Sequence, residues 1–306
     1  MRRLMGQRRF SETTVGVLLA LTSGLIWGAA PLYFRWVGAA LPVEIVLHRV
    51  LWSVPLLVLA ITFLKRWPAV RAVLLDARKL RVLLCTAVLI AANWFVFVYA
   101  VSTQQLVEAS LGYFINPLFS AFLGVIVLGE RPRPMGWLAL AIAAIGVLNE
   151  LLQFGSPPWI ALALAGSFGT YGLLRKQVGV GSDVGLLLET GLLLPFAIVI
   201  LIVLLSTGRS HFGVDAELTV GLMLGSIITI VPLMCFAGAA MRLQLTTLGF
   251  FQYLSPSLSL ALAVLVFAEP LPSVRALTFA SIWLALLVSS VDAMLHHRRV
   301  TVAARG

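Results

Sequence analysis

The chain has 306 residues, of which 60% are hydrophobic and 11% charged, and it carries a formal net charge of +10. That composition excludes a soluble globular domain, and no polar stretch is long enough to enclose a core of its own. The positive charge sits in short loops beside apolar runs, which suits anionic lipid headgroups and argues against nucleic acid as a partner.

Taken in chain order, ten apolar stretches at 14–34, 44–64, 82–101, 108–128, 134–152, 157–174, 184–206, 218–241, 247–267 and 273–295 predict membrane-spanning helices. A hydrocarbon core of about 30 Å takes roughly 20 helical residues. The first stretch follows Arg2, Arg3, Arg8 and Arg9 like a secretory leader. It runs on through Trp27, however, and Pro31 directly follows the small-residue site Gly28-Ala29-Ala30, so we read it as an uncleaved first helix. The longest connector, near Lys65–Arg81, is basic and too short for a catalytic domain. On alternate sides of these spans, eighteen Lys and Arg share the side of both termini, whereas only Arg35, Arg209 and Arg275 fall opposite. Positive charge stays inside, so both termini are expected in the cytoplasm.

The last five stretches echo the first five. Ser110–Pro117 is followed by Gly129-Glu130, and Gly249–Pro256 by Ala268-Glu269 at the same spacing, so one offset of 139 relates Pro117 to Pro256 and Glu130 to Glu269. An offset of 140 relates Pro55 to Pro195, while Asn93 falls opposite Pro232. A five-helix unit is odd, so its second copy must enter the membrane upside down. The fold class expected is therefore all-α integral membrane, with ten transmembrane helices as two inverted five-helix repeats, 14–152 and 157–295.

The segments His48-Arg49-Val-Leu-Trp-Ser53, Asn93-Trp-Phe-Val-Phe97, Glu108–Leu118 and Gly129-Glu-Arg131 resemble RarD. So do Tyr171-Gly-Leu-Leu-Arg-Lys176, Thr247–Leu254 and Phe279-Ala-Ser-Ile-Trp283. RarD proteins are bacterial members of the EamA group in the drug/metabolite transporter superfamily, and the resemblance runs from about Gly16 to Arg299, leaving out both tails. It implies an inner-membrane carrier of small metabolites or drug-like solutes built from two EamA repeats, with export as its direction. The family label "chloramphenicol-sensitive protein" names a phenotype and no physiological substrate.

Ionisable and amide residues within spans are the candidate solute contacts, because charge in hydrocarbon is costly. The Arg49 guanidinium suits a carboxylate clamp; a structural pair with Glu108 or snorkelling to the headgroups is the competing reading. His48 could carry a proton or simply pack, and Glu44 is expected at the solvated outer interface. Glu189 occupies the repeat position of Arg49, but inverted topology separates the two by roughly 16 Å in depth. It either lines the inner half of the route or bonds to a neighbouring helix or to Arg175 and Lys176. Asn93, Trp94, Tyr113, Asn116, Gln252 and Tyr253 lie near helix centres, several just before a proline able to open the preceding turn. Together with Trp27 they could line a midplane cavity and contact the solute there, or the amides could make interhelical hydrogen bonds. Trp27, Trp52, Trp94 and Trp283 are mid-span and expected to face the bundle, whereas Trp36, Trp67, Trp137 and Trp159 are belt positions.

Gly24–Gly28 and Gly221–Gly225 have the spacing of close helix contacts, explicable inside one monomer. Cys85 and Cys235 read as packing residues, and no metal or cofactor site is expected. There is no HExxH, nucleophile elbow, P-loop or GxGxxG, and His211 with Asp215 stands as an isolated loop pair. The reading is a gradient-driven carrier and no enzyme. A lipid flippase of the same fold and a non-transporting assembly partner are the alternatives. Monomer and homodimer are equally compatible with the sequence.

Overall fold

In a computed structural model, residues 11–103, 105–154, 157–266 and 273–303 are described. Arg2, Arg3, Arg8, Arg9, Ala268, Glu269 and Arg305 lie outside the described residues, as does the proposed pairing of Glu130 with Glu269.

The described elements are α-helices: α1 (Glu12–Trp36), α2 (Pro42–Phe63), α3 (Trp67–Leu74), α4 (Ala77–Ser102), α5 (Leu106–Leu128), α6 (Pro134–Phe154), α7 (Trp159–Val178), α8 (Ser182–Ser206), α9 (Ala216–Ala240), α10 (Leu245–Gln252), α11 (Leu254–Leu265) and α12 (Ser273–Ala303). By length and composition, seven of these are long and apolar enough to cross a membrane: α1, α2, α4, α5, α6, α8 and α9. The predicted sixth and tenth spans coincide with α7 and α12, and the ninth with the α10–α11 pair. The chain is a multi-pass, all-helical membrane protein.

Local chemistry sets the helix ends. Ser11 caps α1 by accepting the Thr14 amide at 3.1 Å, and Asp215 caps α9 through the Leu218 amide at 2.7 Å. Asp76 caps α4 through the amides of Arg78 and Lys79. The Lys79 amide foremost holds this carboxyl below its usual range. Gly129 and Gly179 end α5 and α7 in the left-handed region, at φ of 65° and 62°, where a Cβ is disfavoured.

Two differences from expectation concern proline and the basic connector. Pro117 leaves α5 continuous, whereas the ninth span breaks at Tyr253. There the Tyr253 amide bonds the Phe250 carbonyl at 3.2 Å, a tightened turn, and Pro256 cannot donate to the Gln252 carbonyl. The connector contains α3, which turns Val70 and Val73 into the core and leaves Trp67 and Leu74 exposed.

The helices pack in a repeating set of pairs: α1 lies on α9 and α11, as α7 lies on α4 and α5. α2 contacts α8 and α9, as α8 contacts α2 and α4. Small residues permit these approaches. Gly24 and Gly28 receive Leu254 and Leu258 of α11, while Ala139 and Ala143 of α6 share a cluster with Ile282 and Ala285 of α12. Gly221 likewise faces Val37. The glycine spacings thus serve contacts within one chain.

Candidate functional site

Arg49 enters on the second turn of α2, about 10 Å along the helix from its Pro42 start. Its Nε donates to Thr229 Oγ1 of α9 at 2.6 Å, and that hydroxyl donates to the Gly225 carbonyl at 2.9 Å. The guanidinium carbon stands 5.2 Å from the Trp94 ring centroid and 5.9 Å from that of Phe34. Both rings offer negative faces to the cation. Gly225 makes room for this arrangement: a Cβ there would lie 3.1 Å from Arg49 Cγ and would overlap the Tyr33 hydroxyl. Among the described residues no carboxylate lies within 4.0 Å of Arg49, and its only hydrogen bond is the one to Thr229. Its terminal nitrogens are not among the buried polar atoms left without a partner, so they reach accessible space. Tyr113, within electrostatic reach of Arg49, is 50% exposed. Helices α1, α2, α4 and α9 thus converge on a partly buried cation, with Tyr113 of α5 within its electrostatic reach.

Glu108 is not its partner. The Glu108 carboxylate is buried and accepts the Ile160 amide at 2.8 Å, capping α7. Glu44 also departs from expectation, being fully buried rather than solvated. It accepts from Ser210 Oγ at 2.7 Å, from the amides of His211 and Phe212, and pairs with His211 Nδ1 at 2.9 Å. His211 therefore has a carboxylate partner, and Asp215 is a helix cap. His48 is buried, accepts Trp52 Nε1 at 3.2 Å and stacks on Phe212 with centroids 4.5 Å apart.

The remaining candidates form a seam across the bundle. Asn93 donates to the Leu164 carbonyl at 3.0 Å and to Ser167 Oγ at 2.9 Å, tying α4 to α7. Asn116 donates to Gln252 Oε1, and Gln252 Nε2 to Ser120 Oγ at 3.3 Å. Asn116 Oδ1 stays buried without a partner. Tyr253 is 1% exposed, donates to the Phe114 carbonyl at 3.2 Å and packs with Phe250 and Phe279. Trp27 packs 5.5 Å from Phe168 and 6.0 Å from Phe236, with Tyr171 and Phe236 stacked alongside. Trp283 turns out half exposed, its indole N–H satisfied by Ser257 at 3.0 Å.

Glu189 lies apart from Arg49. It is 1% exposed, accepts Thr86 Oγ1 at 2.6 Å and Tyr171 OH at 3.3 Å, and sits 3.5 Å from Arg175 Nη1. The hydrogen-bonded reading of Glu189, with Arg175 beside it, is what the geometry contains. Lys176 instead reaches the carbonyls of Ala240 and Leu243, and Glu130 at 3.9 Å. Thr229, Tyr33 and Phe34 escaped the sequence reading, and Gly225 was marked only by its spacing from Gly221, which says nothing of Arg49.

The bundle of apolar helices is that of a multi-pass membrane protein, and similarity to known proteins makes its class a transporter. A model of the EamA-like transporter family matches residues 14–149. An uncharacterized transporter of Vibrio cholerae is 48% identical over 280 residues, covering 91% of this chain and 93% of that protein. Protein RarD of Salmonella typhi is 45% identical over 289 residues, covering 94% and 98%. A Pseudomonas aeruginosa relative named chloramphenicol-sensitive protein RarD is 29% identical, covering 90% and 94%. The chain belongs to the RarD family of EamA-type transporters. A solved crystal structure with 19% identity superposes at a TM-score of 0.70, covering 92% of this chain and 99% of its own, which is a likeness of fold alone.

Proposed function

We propose that this protein is a secondary transporter exporting small metabolites or drug-like solutes across the bacterial inner membrane. Its ten spans form two inverted repeats, 14–152 and 157–295, with both termini cytoplasmic. Packing supports the repeat. Exchanging α1 for α7, α2 for α8, α4 for α9, α5 for α10–α11 and α6 for α12 carries α1–α9 onto α7–α4, and α1–α11 onto α7–α5. The pairs α2–α8, α5–α10 and α6–α12 map onto themselves, so the axis passes between their members.

The observation that carries the transport reading is the open guanidinium of Arg49 where the halves meet. A cation inside a span is retained at a cost, and a route for polar solutes is its common reason. Solute passes Arg49, Trp94 and Tyr113 in the outer half. The amides of Asn93, Asn116 and Gln252, with Trp27, hold the seam that must part for alternating access. Tyr253 and Glu189 stabilise the walls. Trp27, Phe168, Tyr171 and Phe236 pack together across α1, α7 and α9, edge-on between Trp27 and Phe168 and stacked between Tyr171 and Phe236, and they supply the barrier on the inner side of the proposed route. The name of the Pseudomonas aeruginosa relative contributes a phenotype: expression should alter sensitivity to chloramphenicol. Comparing all metabolites released by overexpressing and deletion strains tests the reading. At least one small solute should follow expression of the protein. Identical release would contradict export, and an altered leaflet distribution of a lipid would make it a flippase.

A further inference from the structure

Resting on the transport reading, we propose that Arg49 binds a planar organic carboxylate, with the guanidinium as its clamp. Among the described residues no carboxylate lies within 4.0 Å of Arg49. Thr229 accepts from Nε and itself donates to the Gly225 carbonyl, so the fork's side edge is occupied and the two terminal nitrogens are left for a ligand. Two parallel N–H donors at that edge match one carboxylate and discriminate it from a neutral group. The faces of Trp94 and Phe34 flank the cation and offer apolar surface to the solute's planar body. A second, independent observation points the same way. Tyr33 is 7% exposed, its hydroxyl is buried without a partner, and it shares the Gly225 gap with the Arg49 stem. A buried hydroxyl without a partner is costly, and a bound carboxylate oxygen would accept it.

Arginine is also the right cation for this place. It stays charged where a lysine would lose its proton to desolvation, so the site keeps its preference for an anion in a low-dielectric surrounding. The nearer carboxylates of the sequence do not compete: Glu44 is bonded to the 210–212 loop and Glu108 to the Ile160 amide.

Equilibrium dialysis of the full-length protein in lipid nanodiscs tests this with radiolabelled benzoate, competed by benzamide, its neutral isostere, and by chloride. Benzoate should bind saturably at one site per chain. Benzamide should compete at least about tenfold more weakly, since it forfeits the charged hydrogen bonds. R49Q should lose benzoate binding by at least about tenfold, and Y33F should weaken it about threefold to tenfold. T229V, which frees the fork but leaves its charge, should weaken it with Arg49 intact, and it carries the test if R49Q fails to insert. No saturable benzoate binding, equal competition by benzamide, or full competition by equimolar chloride would each overturn the proposal. Measuring metabolite release in the same variants separates the two claims. Release without benzoate binding sinks the clamp alone, and benzoate binding without any release sinks the transport reading alone.

Discussion

Three carboxylates, Glu44, Glu108 and Glu130, accept backbone amides of segments distant in sequence, and this governs how the charged residues are shared out. Glu130 accepts the amides of Leu245 and Thr246 at 2.7 and 2.9 Å, holding the start of α10 against the end of α5. Amide-bonded carboxylates are invisible to a reading that pairs opposite charges, which is why Glu108 seemed available to Arg49. Arg49 itself was legible, because an arginine in an apolar span stands out wherever it points. Replacing Glu130 by Ala strands two partly buried amides and should cost about 2–4 kcal/mol, seen as a lowered melting temperature of the detergent-solubilised protein. Glu130→Gln, which keeps one acceptor, should cost less.

The pair of Glu189 and Arg175 offers a sharper test at the same scale. Both side chains are 1% exposed, and Thr86 and Tyr171 complete the carboxylate's partners. Removing one member leaves a buried charge, so Arg175→Met should destabilise by about 3–5 kcal/mol. Combining it with Glu189→Gln should recover part of that loss. A double variant as unstable as the sum of the singles would mean the two groups do not interact.

Among the elements, the broken ninth span and the glycine contacts are the informative ones. The helices were readable from apolar length, and most of their ends to within about four residues, because hydropathy and caps are local. The break at Tyr253 was not, since Pro117 and Pro256 are preceded by similar residues and only one opens the helix. What differs is the neighbour. The Pro117 carbonyl lies against Gly249 of α10, where a Cβ would stand only 2.6 Å away. Helix contact through glycine gives a graded prediction. Gly28→Leu would drive a side chain into Leu258 and should prevent stable folding, whereas Gly166→Ala, with nothing within 4 Å of the added Cβ, should be neutral within about 0.5 kcal/mol or slightly stabilising. Yield of monodisperse protein and its melting temperature distinguish these outcomes.

For the whole molecule, an offset of 139 relates two stretches of the sequence, but which residues meet across the bundle was not legible. Helix contacts bring together residues distant in sequence, so Arg49 meets Thr229 and not Glu189, its counterpart in the proposed repeat. Orientation follows from charge. Single cysteines at Thr103 should react with an impermeant reagent from outside intact cells, and at Arg78 or Arg133 only after the membrane is opened. The reverse pattern would invert the molecule.

The central claim is that solute passes through the chamber at Arg49. Vesicles reconstituted with the protein and loaded with small-molecule cell extract, followed by mass spectrometry of what leaves, test it most directly. Gly225→Ala is the comparison, because its single added carbon meets the Tyr33 and Arg49 side chains and leaves every charge in place. At least one solute should leave vesicles bearing the unaltered protein and be retained, in whole or in large part, by a folded Gly225→Ala variant. Equal efflux from both, or from neither, would contradict it.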